Sequence, residues 1–243
     1  MKIVRCKTYE EMSLAAAQMM AEQIKSKPDS VLGLATGSTP VGMYAELVRQ
    51  HKAGELDFSG ITTVNLDEYC GLAGDHPQSY RYFMQQNLFD HVNVDPAKTH
   101  VPCGTAEDLD EEAAEYEKMV ASLGYADLQL LGVGPNGHIG FNEPADSLLT
   151  DTHVTPLAKE TIRANARFFN SEDEVPKYAL SMGIGTIFGA KKIMILINGK
   201  AKRDALAALL AGDVVDTHCP VTLLHLHHDV TVFCDDEAWP YKD

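Results

Sequence analysis

The sequence predicts an α/β fold, in which helices cover both faces of a mostly parallel β-sheet. Short apolar runs recur along the chain, and helix-length stretches lie between most of them. Strands that alternate with helices pair in parallel, because the helix carries the chain back to the start of the next strand. No change in composition marks a second domain. We therefore expect one domain over residues 1–243, a length that buries a sizeable core.

The predicted elements follow in chain order. The runs "KIVRC", "SVLGLA", "GITTVNL", "DLQLLGV" and "KKIMILI" have the length of strands. Helices are predicted for "YEEMSLAAAQMMAEQIKSK", "PVGMYAELVRQHKAG", "AEDLDEEAAEYEKMVASLG" and "KAKRDALAALLAG". In the third of these, Tyr116, Val120 and Leu123 have the i, i+4, i+7 spacing of one helix face.

Two further apolar runs near the end of the chain, "VTLLHL" and "DVTVFC", are separated only by "HH". Because two residues are too few for a crossover helix, we predict that these runs form a C-terminal antiparallel hairpin. His225 and His227 would then face one side of a strand, a spacing that zinc can use. No carboxylate or cysteine cluster accompanies them in the sequence, so we favour packing or surface polarity and predict no metal site.

Charge and composition exclude several classes of protein. The formal net charge of −15 disfavours nucleic acid and anionic membranes as partners, since both require a concentrated basic surface. The N-terminal stretch "MKIVRCKTYEEM" lacks the apolar core of a signal peptide, and no run approaches the roughly 20 apolar residues that span a bilayer. Five scattered cysteines without C-x-x-C pairs suit reduced thiols. We predict a cytoplasmic protein without disulfides.

The loops that follow the strands are the predicted ligand site, because open parallel sheets bind ligands beyond the carboxyl ends of their strands. Four such loops carry polar or glycine-rich sequences. They are "TGSTP" (36–40), "DEYCG" (67–71), "GPNGHIGFNEP" (134–144) and "NGKAK" (198–202).

Gly132, Gly134 and Gly137 have the G-x-G-x-x-G spacing of a dinucleotide-binding loop. Such a loop follows the first strand and opens a helix, whereas this one follows the fourth strand and "NEP" interrupts the expected helix. His138 and Glu143 instead bring an imidazole, which titrates near neutral pH, and a carboxylate to one loop, which favours acid–base chemistry. The alternative is a tight Gly-Asn-Gly turn beside a surface histidine.

The loop Gly37-Ser38-Thr39, followed by Pro40, begins a predicted helix. Free backbone N–H groups and two hydroxyls at a helix N-terminus form a site for phosphate. The alternative is that Ser38 or Thr39 simply caps the helix.

In so acidic a chain, a bound phosphate requires local cations. Lys200 and Lys202 follow "KKIMILI" at the start of a predicted helix, and Arg163 and Arg167 stand four residues apart, as on one helix face. Each is an ordinary surface charge when taken alone, but placement at strand ends favours Lys202 and Arg167.

Asp67 and Glu68 directly follow the predicted strand "GITTVNL", at its carboxyl end. A carboxylate there, partly desolvated by Leu66 and Tyr69, would have a raised pKa and could act as a general base. Adjacent strand residues point in opposite directions, so we expect only one of the two to face a ligand. Capping of a helix or turn is the alternative role.

Taken together, "TGSTP", "NLDEY", "GVGPNGHIGFNEP", "NARFF" and "VPKYALSMGIGT" resemble the glucosamine-6-phosphate deaminase family in order and spacing, over nearly the whole chain. The resemblance implies a Rossmann-like three-layer α/β fold, shared with sugar-phosphate isomerases and 6-phosphogluconolactonase. It also implies an enzyme that needs neither a metal nor a nucleotide cofactor, so the glycines of the 132–144 stretch would cradle a sugar.

The resemblance also implies roles for individual residues. Asp67 matches the base that removes the C2 proton of the opened sugar, and His138 matches the residue that moves a proton between the anomeric hydroxyl and the ring oxygen, with Glu143 in support. Asn136 stands where some relatives carry Asp. A carboxylate that stabilises the protonated imidazole would then have to be Glu143, or this stabilisation would be weaker than in those relatives. Phosphate and sugar contacts fall on Gly37, Ser38, Thr39, Gly137, Arg167 and Lys202.

The implied reaction converts glucosamine 6-phosphate and water to fructose 6-phosphate and ammonia, in amino-sugar catabolism. Two alternatives are a 6-phosphogluconolactonase-like hydrolase, which has no need of a C2 base, and a non-catalytic sugar-phosphate sensor, which would not need Asp67, His138 and Glu143. An assay for ammonia and fructose 6-phosphate distinguishes all three.

Some members of the family are hexamers that N-acetylglucosamine 6-phosphate activates through basic residues shortly after "NEP". Residues 145–158 of this chain contain no Lys or Arg, and Asp146 and Asp151 add negative charge. The chain also ends with "CDDEAWPYKD", so we expect little C-terminal extension to build an interface. We therefore expect a monomer, or at most a small homo-oligomer, without allosteric activation.

Overall fold

The computed structural model describes residues 1–166, 169, 171–212 and 214–241, with only the backbone at residues 160, 164, 165 and 172. Ten strands and seven helices make up its regular structure. The strands are β1 (Lys2–Cys6), β2 (Val31–Leu34), β3 (Thr62–Asn65), β4 (Asp67–Tyr69), β5 (Thr99–His100), β6 (Leu128–Leu131), β7 (His153–Pro156), β8 (Tyr178–Ser181), β9 (Ile193–Ile197) and β10 (Val230–Asp235). The helices are α1 (Tyr9–Ser26), α2 (Val41–Lys52), α3 (Tyr80–Asn87), α4 (Leu109–Ser122), α5 (Lys159–Asn165), α6 (Ile184–Phe188) and α7 (Arg203–Ala211).

The main sheet has seven strands in the order β1-β10-β9-β6-β2-β3-β5, and every neighbouring pair is parallel. This confirms the predicted parallel α/β architecture. All residues of the central strands β9, β6 and β2 are buried. Strands covered on both faces read as continuous apolar runs, which is why these strands were recognisable in the sequence.

Helix α1 illustrates how the helices join this core. Thr8 begins the helix by accepting a hydrogen bond from the backbone N–H of Glu11. Met12, Ala16 and Met20 follow at four-residue intervals and are fully buried. No helix among the described residues is long and apolar enough to cross a bilayer.

The predicted C-terminal hairpin is wrong. Residues Pro220–Leu226 form a 3-10 helix, and β10 lies between β1 and β9, parallel to both. Both edges of β10 are thus already paired, which leaves no place for a hairpin partner. Pro220, at the start of the helix, lacks the N–H group that a β-strand donates to its neighbour. The apolar side chains of Val221 and Leu224 are buried, but they belong to a helix and not to a strand.

The two histidines of this region are therefore not on a strand. The His225 ring bonds the backbone oxygen of Leu209, and the His227 ring bonds that of Ala190. Within the described part of the chain, no group of three His, Cys, Asp or Glu side chains could hold a metal ion. Packing and backbone hydrogen bonds account for this pair.

A second, three-stranded antiparallel sheet, β4-β8-β7, was not predicted. Leu66 is the junction between the two sheets: its N–H donates to Leu34 of β2, and its carbonyl accepts from Met182, just beyond β8. The chain therefore leaves the main sheet at Asn65 and enters the small sheet at Asp67. This crossing brings Asp67 to the point where the two sheets meet.

Candidate active site

The four segments predicted as loops follow strands at one end of the main sheet, although residues 67–69 of "DEYCG" form the strand β4 and not a loop. They follow β2, β3, β6 and β9, which are consecutive neighbours and run parallel. Thr39 Oγ1 donates to Asn198 Oδ1 at 2.7 Å, which joins the loops after β2 and β9. Lys202 Nζ donates to the carbonyl of Val133, which joins the loops after β9 and β6. The loops thus surround one region.

The glycines after β6 make room for a histidine. A Cβ atom on Gly134 would lie 2.2 Å from the ring of His138. The backbone N–H of Gly134 donates to the His138 carbonyl at 2.9 Å, and Gly137 has a left-handed φ of 87°. The next element after this loop is the strand β7, so the loop lacks the helix N-terminus of a dinucleotide-binding motif. The glycine spacing reflects a tight turn that seats His138.

His138 is paired with Glu143. Its Nδ1 lies 3.1 Å from Glu143 Oε2, and the same oxygen accepts from Asn136 Nδ2 at 2.8 Å. Thr161 Oγ1 donates to the other oxygen, Oε1, at 2.5 Å. The amide at position 136 therefore supports the carboxylate of Glu143, which is the only carboxylate among the described residues bonded to this imidazole.

The pairing fixes which nitrogen of His138 carries a proton. Burial favours the neutral form of Glu143, but the hydrogen bonds and charge of His138, together with Thr161 and Asn136, outweigh it and lower the Glu143 pKa to about 2. An ionised carboxylate only accepts hydrogen bonds, so Nδ1 of His138 must donate. The other ring nitrogen, Nε2, is left to exchange a proton elsewhere.

Asp67 is a buried carboxyl group with a raised pKa. Its side chain belongs to a residue only 7% exposed, and among the described residues none donates a hydrogen bond to it. Burial, with a smaller contribution from the charge of Glu68, raises the Asp67 pKa to about 8. A Cβ atom on Gly140 would lie 3.9 Å from Asp67 Oδ2, so the carboxyl group adjoins the loop that holds His138.

Aromatic residues and β8 create this environment for Asp67. Tyr69 packs against Tyr80 at a centroid distance of 4.7 Å and against Phe141 at 5.9 Å. Asp67 lies opposite Ser181 in the small sheet, and the hydroxyl of Ser181 accepts from the backbone N–H of Phe141 at 3.0 Å. The hydrogen bond from Phe141 to Ser181 links β8, the strand paired with β4, to the loop that holds His138.

Glu68, adjacent in sequence, has a different role. Its carboxylate accepts backbone hydrogen bonds from Tyr69, Tyr80 and Arg81 at 2.8, 2.8 and 2.9 Å. Two of these donors lie in the first turn of α3, so Glu68 satisfies N–H groups at the start of that helix. Capping, the alternative role considered for this pair, therefore describes Glu68, and the role of Asp67 toward a ligand stays a prediction.

The predicted phosphate loop is held open toward solvent. Gly37 has a left-handed φ of 87°, and Ser38 is exposed. Pro40 occupies the N-cap position of α2 without a side-chain cap, so neither hydroxyl caps that helix. The Tyr9 hydroxyl accepts from the N–H of Gly42 at 2.8 Å and lies 3.1 Å from the Thr39 carbonyl, which fixes the loop. No motif or spacing in the sequence indicates this role of Tyr9.

The predicted cations are placed unequally. Lys202 is half-buried and ends the 3-10 turn that leads into α7, beside the loop after β6. Lys200 and Arg163 are exposed, the latter on α5. Arg167 lies outside the described residues.

Comparisons of the sequence identify relatives along almost the entire chain. Residues 7–233 match the model of the family glucosamine-6-phosphate isomerases/6-phosphogluconolactonase. The chain is 53% identical over 238 residues to glucosamine-6-phosphate deaminase of Clostridium perfringens (strain 13 / Type A), with 98% of each chain covered. It is 52% identical over 238 residues to glucosamine-6-phosphate deaminase 1 of Bacillus subtilis (strain 168), again with 98% of each covered.

Solved structures agree with these relatives. A monomeric glucosamine-6-phosphate deaminase that is 52% identical superposes with a TM-score of 0.95 and 98% coverage of both chains. The 6-phosphogluconolactonase of Trypanosoma brucei has a TM-score of 0.77 at 19% identity, with 98% of this chain and 97% of that chain covered, and so shares the fold. The chain belongs to the glucosamine-6-phosphate deaminase family.

Proposed function

We propose that the protein converts glucosamine 6-phosphate and water to fructose 6-phosphate and ammonia, with Asp67 and His138 as its proton-transfer groups. Family membership supports the substrate and the reaction. One observation carries the assignment of residues: a buried carboxyl group with a pKa raised to about 8 adjoins the loop of an imidazole–carboxylate pair. Such a pair of groups suits two successive proton transfers at near-neutral pH.

Ring opening is the first step. Nε2 of His138 takes the proton of the anomeric hydroxyl and delivers it to the ring oxygen, which breaks the C1–O5 bond and forms the aldehyde. During the transfer the imidazole becomes a cation, and the carboxylate of Glu143, 3.1 Å from Nδ1, stabilises that charge. Asn136 holds the same carboxylate in place.

Isomerisation and loss of ammonia follow. Asp67 removes the C2 proton from the opened sugar, which gives an enolamine, and a proton is then added at C1. The product carries an imine at C2; water adds there, and ammonia leaves to form the ketose. A carboxyl group with a pKa near neutrality both accepts a proton and returns one without a large barrier in either direction.

The phosphate is assigned to the loop Gly37-Ser38-Thr39 and to two cations, Lys202 and Arg167. The loop offers N–H groups and hydroxyls, and the ammonium group of Lys202 lies beside the neighbouring loop. These local donors are needed because the chain as a whole has a net charge of −15. Gly137 lets the backbone approach the sugar closely.

The mechanism uses no metal and no cofactor. We also propose that the protein acts in the cytoplasm, in amino-sugar catabolism, as a monomer or small homo-oligomer. The relative of 52% identity described as monomeric supports the last point.

Purified protein supplied with glucosamine 6-phosphate tests the proposal, with ammonia and fructose 6-phosphate measured separately. We expect equal amounts of the two products. Hydrolysis of 6-phosphogluconolactone without ammonia release would instead assign a lactonase, and binding of the sugar phosphate without any product would assign a sensor.

A further inference from the structure

Thr161 makes a hydrogen bond that no part of the sequence pattern indicated. It lies on α5, in a segment separate from the loop after β6, and is 7% exposed. Its hydroxyl donates to Oε1 of Glu143 at 2.5 Å. A hydroxyl bonded to an ionised carboxylate away from water is a strong contact, because the charge has few competing partners.

The two oxygens of Glu143 have separate partners. Oε2 accepts hydrogen bonds from Asn136 and His138, which lie in the same loop as Glu143. Oε1 accepts a hydrogen bond from Thr161 on α5. Contacts at Oε2 alone leave the carboxylate free to rotate about its terminal bond, a torsion with broad preferences. The second anchor at Oε1 removes that freedom. It also fixes the direction from which Nδ1 of His138 is held.

We propose that Thr161 is a positioning residue for ring opening: its hydroxyl orients the Glu143 carboxylate and thereby the imidazole of His138. The inference rests on the proposed function, in which His138 transfers the ring-opening proton. Thr161 is not assigned any contact with the sugar. Its loss should therefore slow the step that His138 carries out and leave both phosphate recognition and the Asp67 step intact.

Three variants test this role. Thr161→Val removes the hydroxyl at nearly constant shape, and Thr161→Ser keeps it. Thr186→Val is the matched control, because Thr186 is 3% exposed and its hydroxyl also donates to a glutamate, Glu117, at 2.6 Å. Glu117 lies on α4 and has no assigned part in the reaction.

Each variant is assayed with glucosamine 6-phosphate and with its 5-deoxy analogue, which cannot close a six-membered ring. For Thr161→Val we expect kcat on the natural substrate to fall about 10-fold, equivalent to one lost hydrogen bond, with KM nearly unchanged. The analogue should react at close to the wild-type rate. Thr161→Ser should restore most of the lost kcat, and Thr186→Val should keep the wild-type kcat.

The inference is overturned if Thr161→Val matches wild type, if it loses equal activity on both substrates, or if Thr161→Ser fails to restore kcat. A variant too unstable to assay is replaced by Thr161→Ala under the same criteria. Wild-type protein that produces no ammonia would instead reject the proposed function, so the two failures are distinguishable.

Discussion

His138 and Glu143 are joined through Nδ1 and Oε2 at 3.1 Å, and both lie in the loop after β6, 5 residues apart in the chain. The close spacing in sequence lets one turn build the pair. It depends on glycine at position 134, where any side chain would collide with the imidazole. The pair is therefore a property of the loop itself, and the contact to Thr161 secures it from outside.

The first prediction concerns His138. His138→Gln removes the group that can take up and release a proton while it keeps a polar side chain. We expect about a 100-fold lower kcat on closed-ring glucosamine 6-phosphate, a typical loss for an acid–base residue. On the 5-deoxy analogue the loss should be much smaller. Equal losses on both substrates would reject the ring-opening role.

The second prediction concerns phosphate recognition. Lys202→Ala removes a charge-assisted contact, so affinity for glucosamine 6-phosphate should fall by about 10- to 100-fold. Affinity for glucosamine without the phosphate should not change. Lys200→Ala is the control, because Lys200 precedes the same helix but is exposed. Arg167→Ala should resemble Lys202→Ala. Isothermal titration that finds unchanged affinity for the phosphorylated sugar in Lys202→Ala would contradict the assignment.

The third prediction follows from the raised pKa of Asp67. Only the ionised carboxylate accepts the C2 proton, so kcat/KM should rise with pH through the neutral range and level off above a pKa of about 8. A pH profile of wild-type protein measures this limb. An activity that is flat from pH 5 to pH 9 would show that no such carboxyl group controls the reaction.

The same pKa affects stability, and the sign can be worked out. The folded protein holds the Asp67 proton to about pH 8, whereas an unfolded chain releases it near the ordinary value of 3.8. The stabilisation from the buried neutral acid is therefore complete below the unfolded pKa and is lost as pH rises to the folded pKa. Asp67→Asn keeps a neutral side chain throughout, so its Tm relative to wild type should increase across that window.

The features that could be predicted from the sequence are those that depend on neighbouring residues in the chain. The strands β2, β6 and β9 were predictable because burial on both faces makes them continuous apolar runs. That the segments after these strands lie close together was predictable as well, because the carboxyl ends of parallel strands lie at the same end of the sheet. The 3-10 helix at Pro220–Leu226 was mistaken for a strand because a short apolar run suits either structure, and only the pairing of β10 on both sides decides between them.

Contacts between residues far apart in the chain could not be predicted from the sequence. The small antiparallel sheet depends on pairing between β4, β7 and β8, which are far apart in the chain. Thr161 and Tyr9 contact the candidate site through single hydroxyls on helices, and nothing in the local pattern distinguishes them from other helical residues. The distinction between Asp67 and Glu68 likewise appears only once α3 is placed against Glu68.

The fourth prediction concerns regulation. Residues 145–158 lack Lys and Arg, and Asp146 is exposed, with its carboxylate 3.1 Å from the His218 ring. A second phosphate there would meet negative charge, and allostery requires a second site. We expect hyperbolic kinetics, no activation by N-acetylglucosamine 6-phosphate, and a monomer or small oligomer by light scattering. Sigmoidal curves that the effector makes hyperbolic, on a hexamer, would show this prediction to be wrong.

The central claim is that the carboxylate of Asp67 removes the C2 proton. Asp67→Asn is nearly isosteric but cannot accept that proton, and the test is its turnover of glucosamine 6-phosphate beside its affinity for the same sugar. We predict about a 1000-fold or greater loss of ammonia production with affinity within a few-fold of wild type, since the amide keeps the shape of the site. Turnover near the wild-type rate in Asp67→Asn would contradict the account.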